Sequence, residues 1–251
     1  MENKRIVLHV GFHKSGSTLI QNYFENHPEV YFSREKLARF IDDYNSEVPQ
    51  FENEQQEKFI FLSDMRLTVN SWGQSEIERI NSEKLTNDEV KKIQRDIAVK
   101  LKERFPSALI LITLRDKNQL INSLHSQYIL NGGRKSLEKF KMDSKNIDVL
   151  FDYKFVENLY SEIFGSDQVC QLNSNELSIN PTAYLKEVCN ACDFPFQEAE
   201  LKVVNPSLTK SRKNRMMCRN RFVYYVLLLL PKSKRNNYFK KYIEKQIEKR
   251  G

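Results

Sequence analysis

The chain has 251 residues, 40% hydrophobic and 11% aromatic, with only seven glycines and seven prolines, so it can bury one sizeable core and has no linker composition to divide it. Its four cysteines, Cys170, Cys189, Cys192 and Cys218, exclude the disulfide framework of a small secreted domain and suit a reducing compartment. The net charge of +7 is uneven: Lys210 to Arg250 holds 14 Lys and Arg against Glu244 and Glu248, while the first 209 residues hold 26 against 31 Asp and Glu, which argues against a nucleic-acid-binding body and for an anionic partner near the C-terminus.

In chain order, Arg5 to Val10 is a short β-branched run that predicts a strand. It leads at once into Gly11-Phe12-His13-Lys14-Ser15-Gly16-Ser17-Thr18, and Thr18 to Asn26 then places Leu19, Ile20, Tyr23 and Phe24 on one side of a helix. Lys58 to Ser63 and Ala108 to Leu114 read as buried strands that end on Asp64 and Arg115. Between them Val90, Ile93, Ile97, Leu101 and Phe105 predict a helix from Asp88 to Phe105, stopped by Pro106. A helix from Asp116 to Leu130 ends on Asn131-Gly132-Gly133, another runs from Val149 to Phe164 and closes on Gly165, and a strand follows from Gln168 to Leu172. Cys189-x-x-Cys192 lies in a helical pattern from Tyr184 and reads as helix packing, with no second pair to complete a metal site. Strands alternating with helices imply a mainly parallel sheet covered on both faces, with ligands beyond the carboxyl ends of its strands.

The loop at 11 to 18 has the chemistry for a phosphate, because a strand-to-helix turn presents unpaired N–H groups and the positive end of a helix dipole. Gly11 and Gly16 keep the glycine spacing of a triphosphate P-loop, but Ser17 stands where that motif requires Lys, and the lysine sits at position 14. A nucleotide kinase or NTPase is therefore an alternative that lacks its lysine, and a non-catalytic nucleotide-binding protein of the same fold is another.

His13-Lys14-Ser15-Gly16-Ser17-Thr18 resembles the His-Lys-Thr-Gly-Thr-Thr loop of the sulfotransferases that use 3′-phosphoadenosine-5′-phosphosulfate (PAPS), particularly a bacterial-type, carbohydrate-sulfotransferase-like group. Arg115, in Ile112-Thr-Leu-Arg-Asp116, and Ser123 resemble the family's 3′-phosphate pair; Phe151-Asp-Tyr153, Phe164-Gly165 and Asn175-Glu176-Leu177 resemble its later landmarks. The resemblance covers about residues 5 to 205 and implies an α/β, P-loop-NTPase-like three-layer sandwich. It implies a sulfotransferase domain over 1–209, with 210–251 a basic, helical extension packed on it.

It further implies in-line transfer of a sulfuryl group to a hydroxyl, or less readily an amine, with no metal, leaving adenosine 3′,5′-bisphosphate. Lys14 is then expected to stabilise the bridging oxygen, Ser15, Gly16, Ser17 and Thr18 to hold the 5′-phosphate, and Arg115 and Ser123 the 3′-phosphate. Asp64 stands where relatives carry an acidic residue and is the first candidate for the base; His13 and His125 are alternatives. By family analogy the acceptor is a carbohydrate, glycolipid or small alcohol. Trp72 and Arg66, within Met65 to Leu85, are candidates to recognise it.

The basic tail contains Phe222 to Leu230, nine apolar residues flanked by Arg219, Arg221, Lys232, Lys234 and Arg235. The run is too short to span a bilayer, and Met1 to Arg5 leads straight into a strand rather than a signal-peptide core. These features lead to the expectation of a cytoplasmic protein, soluble or peripheral at the inner face of an anionic membrane. A helix packed on the core is the other reading of the run.

Overall fold

The computed structural model describes residues 4–12, 15–33, 58–64, 86–143, 147–175, 177, 179–199 and 208–248. His13, Lys14, Arg66, Trp72, Glu176 and the rest of 65–85 lie outside the described residues. The chain divides into two compact units, one of residues 1–117 and 146–204, the other of 118–145 and 205–251.

Among the described residues the first unit is built on five strands: β1 (Arg5–Gly11), β2 (Val30–Ser33), β3 (Phe59–Ser63), β4 (Leu109–Leu114) and β5 (Val169–Asn173). They lie in the order β2-β3-β1-β4-β5, and every pairing is parallel. Register fixes the two faces. Val7 pairs with Phe61 through β3 and with Leu109 through β4, and these residues share a core with Ile20, Tyr23 and Phe24 of α1 (Ser17–Glu25). Leu185, Val188, Cys189 and Cys192 of α7 (Pro181–Cys192) complete that core.

The alternate residues Leu8, Ile60, Leu62 and Ile110 are equally buried and by the two-residue period face the other side. There α6 (Tyr153–Phe164) packs on β4 and β5 and against α2 (Asn87–Arg104). The result is a P-loop-NTPase-like α/β sandwich of three layers, helices on both faces of a parallel sheet. The Cys189-x-x-Cys192 pair is buried helix packing and both thiols are free.

Two local readings change. The helix expected from Val149 to Phe164 is two helices, α5 (Ile147–Leu150) and α6. The Asp152 side chain accepts from the Phe155 N–H at 3.1 Å and starts a new helix there. β2 was not expected, because four residues on a sheet edge, Val30 buried and the other three half-buried, carry little periodicity.

The second unit holds most of α3 (Lys117–Leu130), with α4 (Leu137–Asp143), α8 (Lys210–Leu228) and α9 (Lys232–Glu248). Ile129, Leu130, Leu208 and Met216 form its buried cluster. Asn220 is fully buried; its amide donates to the carbonyls of Ile129 and Gly133, and its oxygen accepts from the Tyr242 hydroxyl at 2.7 Å. Gly132 ends α3 at φ 89°, where a Cβ would stand 2.4 Å from Phe239, so the glycine stop also makes room for α9. Among the described residues no helix is long and apolar enough to cross a membrane.

Candidate active site

The loop after β1 opens onto α1 through Gly16, whose φ of 89° and ψ of 5° are left-handed and whose position as N-cap leaves the helix without a side-chain cap. A Cβ on Gly16 would lie 2.8 Å from Leu177, so glycine meets both a backbone and a packing requirement. Ser17 is buried, and among the described residues its hydroxyl has no hydrogen-bond partner. An orphaned buried hydroxyl at an uncapped helix N-terminus fits an anionic oxygen. Thr18 is exposed, whereas Ser15 turns inward: its N–H and its hydroxyl both donate to the Phe12 carbonyl, at 3.1 and 2.6 Å.

Beneath this loop runs a chain of hydrogen bonds that crosses three strands. Ser15 Oγ is 2.8 Å from Thr113 Oγ1, Thr113 Oγ1 is 3.0 Å from His9 Nε2, His9 Nδ1 is 2.8 Å from Ser63 Oγ, and Gln21 Nε2 donates to Ser63 Oγ at 2.9 Å. Proton accounting gives the chain one direction. The Ser15 proton goes to a carbonyl, so Ser15 accepts from Thr113; Thr113 then accepts from His9 Nε2–H, and His9 Nδ1 accepts from Ser63. This assignment requires a neutral imidazole, and full burial holds it neutral by pushing its pKa down to about 3. A Cβ on Gly11 would come within 2.5 Å of Ser17 Oγ and 3.0 Å of His9 Nε2, so Gly11 lets the loop pass close over the imidazole.

The end of β4 is held as firmly. Both the N–H and the hydroxyl of Ser174 donate to the Leu114 carbonyl at 2.7 Å, Tyr153 donates to the Arg115 carbonyl at 2.8 Å, and Asn175 Oδ1 accepts from the Asp116 N–H at 3.2 Å. Tyr153 also sets its ring edge-on to Phe12, centroids 4.6 Å apart, beside Phe151. One residue thus ties the loop to the backbone from which Arg115 departs. Burial raises its pKa to about 12, so it stays a phenol that can donate. Asp64 follows β3 directly after Ser63, at the same edge of the sheet, and Arg115 is half-buried.

The structure therefore brings the loop, Asp64 and Arg115 to one edge of the sheet. It adds His9, Ser63, Thr113 and Gln21, which the sequence did not single out, and gives Tyr153, part of the Phe151-Asp-Tyr153 landmark, a place beside them. The signal for His9, Ser63 and Thr113 was one polar residue in the apolar run of each strand. Ser123 lies half-buried on α3 in the second unit. There His125 Nε2 donates to the Lys135 carbonyl at 3.0 Å, and burial lowers its pKa.

A parallel sheet with an anion-ready turn at the end of its central strand defines an α/β fold of the kind that handles nucleotide phosphates. Comparison with known proteins carries this further. The family profile described as "Sulfotransferase family" matches residues 7–198, and the chain belongs to the sulfotransferase family; it is a transferase.

Among solved structures, a sulfotransferase from Alicyclobacillus acidocaldarius shares the fold at 12% identity, with 93% of this chain and 99% of that chain covered and a TM-score of 0.55. Sulfotransferase STF9 from Mycobacterium avium aligns over 89% of this chain and 69% of that chain at 12% identity and a TM-score of 0.41. No curated protein matches by sequence.

Proposed function

We propose that this sulfotransferase takes its sulfuryl group from PAPS and delivers it to a hydroxyl, less readily an amine, on a carbohydrate, glycolipid or small alcohol. The observation that supports this most is the Ser17 hydroxyl at the uncapped start of α1, buried and without a hydrogen-bond partner among the described residues, a place suited to an anionic oxygen. The donor supplies an activated sulfur, whose bond to the phosphate oxygen breaks as the acceptor oxygen bonds to it.

Gly16, Ser17 and Thr18 hold the 5′-phosphate, and Ser15 braces them from below. Lys14 neutralises the oxygen that leaves with the phosphate. Arg115 and Ser123 take the 3′-phosphate, the guanidinium as a charged fork and the serine as a hydroxyl donor. Asp64 accepts the proton of the acceptor hydroxyl. No residue in this scheme calls for a metal. The four free thiols suit a cytoplasmic setting.

Titration calorimetry with adenosine 3′,5′-bisphosphate and with AMP tests the reading. The wild type is expected to prefer the bisphosphate. Arg115→Ala is expected to reduce that preference by about tenfold to a hundredfold, the effect of losing charge-assisted hydrogen bonds. Equal binding of the two nucleotides by the wild type rules the reading out.

A further inference from the structure

The pair α8 and α9 carries a surface that sulfuryl transfer does not use. One side of α8 turns into its own unit through Met216, Asn220, Val223, Tyr224 and Leu227. At 3.6 residues per turn, the opposite side of its second half presents Phe222, Tyr225, Val226 and Leu229, spaced i, i+3, i+4 and i+7. These residues are 68%, 66%, 44% and 86% exposed. A helix face that meets only water is normally polar, so an unbroken apolar stripe marks a contact surface.

The segment that carries the stripe is strongly cationic. Arg215 lies on its line two turns earlier, α9 exposes Lys234, Lys240 and Lys241, and Lys210 to Arg250 contains only two acidic residues. Its far end is preformed, because Arg235 donates to the carbonyls of Leu228 and Leu230, both at 2.8 Å, and so caps the end of α8 beneath Leu229.

We propose that this face docks on an anionic lipid surface, with Phe222, Tyr225, Val226 and Leu229 entering the headgroup layer while the surrounding lysines and arginines meet lipid phosphates. Charge selects the occupant. A second copy using the same face would bring two strongly positive segments together. A nucleic acid would satisfy the cations but leave Val226 and Leu229 without an apolar partner.

Flotation of the full chain tests the proposal, using vesicles of equal parts phosphatidylcholine and phosphatidylglycerol beside vesicles of phosphatidylcholine alone. Binding is expected only to the anionic vesicles and weakens with salt. The double variant Phe222→Ser/Leu229→Ser reduces it at least about tenfold, and Lys234→Glu/Lys241→Glu also weakens it. All four positions are exposed, so circular dichroism and thermal melting should match wild type. A wild type that stays with the soluble fraction overturns the proposal, as does an apolar variant that floats equally well. A stripe-dependent dimer in light scattering, or stripe-dependent binding of an oligonucleotide, also overturns it and reassigns the face.

Discussion

Ser17 and His9 lie close together under the same loop and are expected to respond oppositely to substitution. Among the described residues the Ser17 hydroxyl has no hydrogen-bond partner, so Ser17→Ala should lower affinity for adenosine 3′,5′-bisphosphate about tenfold while changing stability by less than about 0.5 kcal/mol. Calorimetry and thermal melts read the two effects separately; unchanged affinity with lost stability would assign the hydroxyl to the fold. His9→Phe should do the reverse, removing one partner each from the Ser63 and Thr113 hydroxyls, which keep Gln21 and Ser15, at a cost of about 1–3 kcal/mol.

His9 also sets a pH dependence. Its folded pKa of about 3 lies below the ordinary 6.5, so between these values the unfolded chain binds the extra proton. The contribution is fully present above about pH 6.5 and falls by about 1.4 kcal/mol per pH unit on acidification. Denaturant melts across this range should show a shallower slope in His9→Phe than in wild type. The sequence displayed His9 only as a polar residue in an apolar strand, because its partners stand 54 and 104 positions away and only strand register brings them level. Ser17, by contrast, was legible, since its chemistry comes from the adjacent loop and helix start.

Among the elements, those closed by their own residues were the easiest to read. Pro106 and the Asn131-Gly132-Gly133 stop fell where helices end, and α2 begins on a reciprocal cap: the Thr86 hydroxyl accepts from the Glu89 N–H at 3.2 Å while Glu89 accepts from the Thr86 N–H at 2.6 Å. Those bonds hold the Glu89 carboxyl below its ordinary pKa. Thr86→Ala should destabilise the fold by about 1 kcal/mol in denaturant melts, without effect on nucleotide affinity. The division of α5 from α6 escaped the sequence because Val149 and Val156 stand seven residues, two helical turns, apart across it, and one aspartate side chain decides the break. Gly16 is the corresponding control on the loop. Gly16→Ala must accept φ 89° and displace Leu177, so it should lose about 1–2 kcal/mol of stability as well as nucleotide binding.

At the scale of the whole molecule, nucleotide binding and stability are linked. At a hundredfold its Kd, adenosine 3′,5′-bisphosphate should stabilise the chain by about 2.7 kcal/mol, a rise in Tm of about 5–10 °C, and AMP should give a much smaller one. A parallel sheet covered on both faces was legible from strands alternating with helices. The association of 118–145 with the C-terminal helices was not, because it rests on pairs such as Asn220 with Ile129, 91 residues apart. The sheet order also bears on the protein's birth. β1 lies between β3 and β4 in the sheet and is made before either, and the partners of His9 emerge 54 and 104 residues after it. At about 5–20 residues per second, its apolar edges wait roughly 5–20 s for their second neighbour. The nascent chain therefore exposes the apolar edges of β1 before their partners exist, which makes it a natural client for chaperones during synthesis.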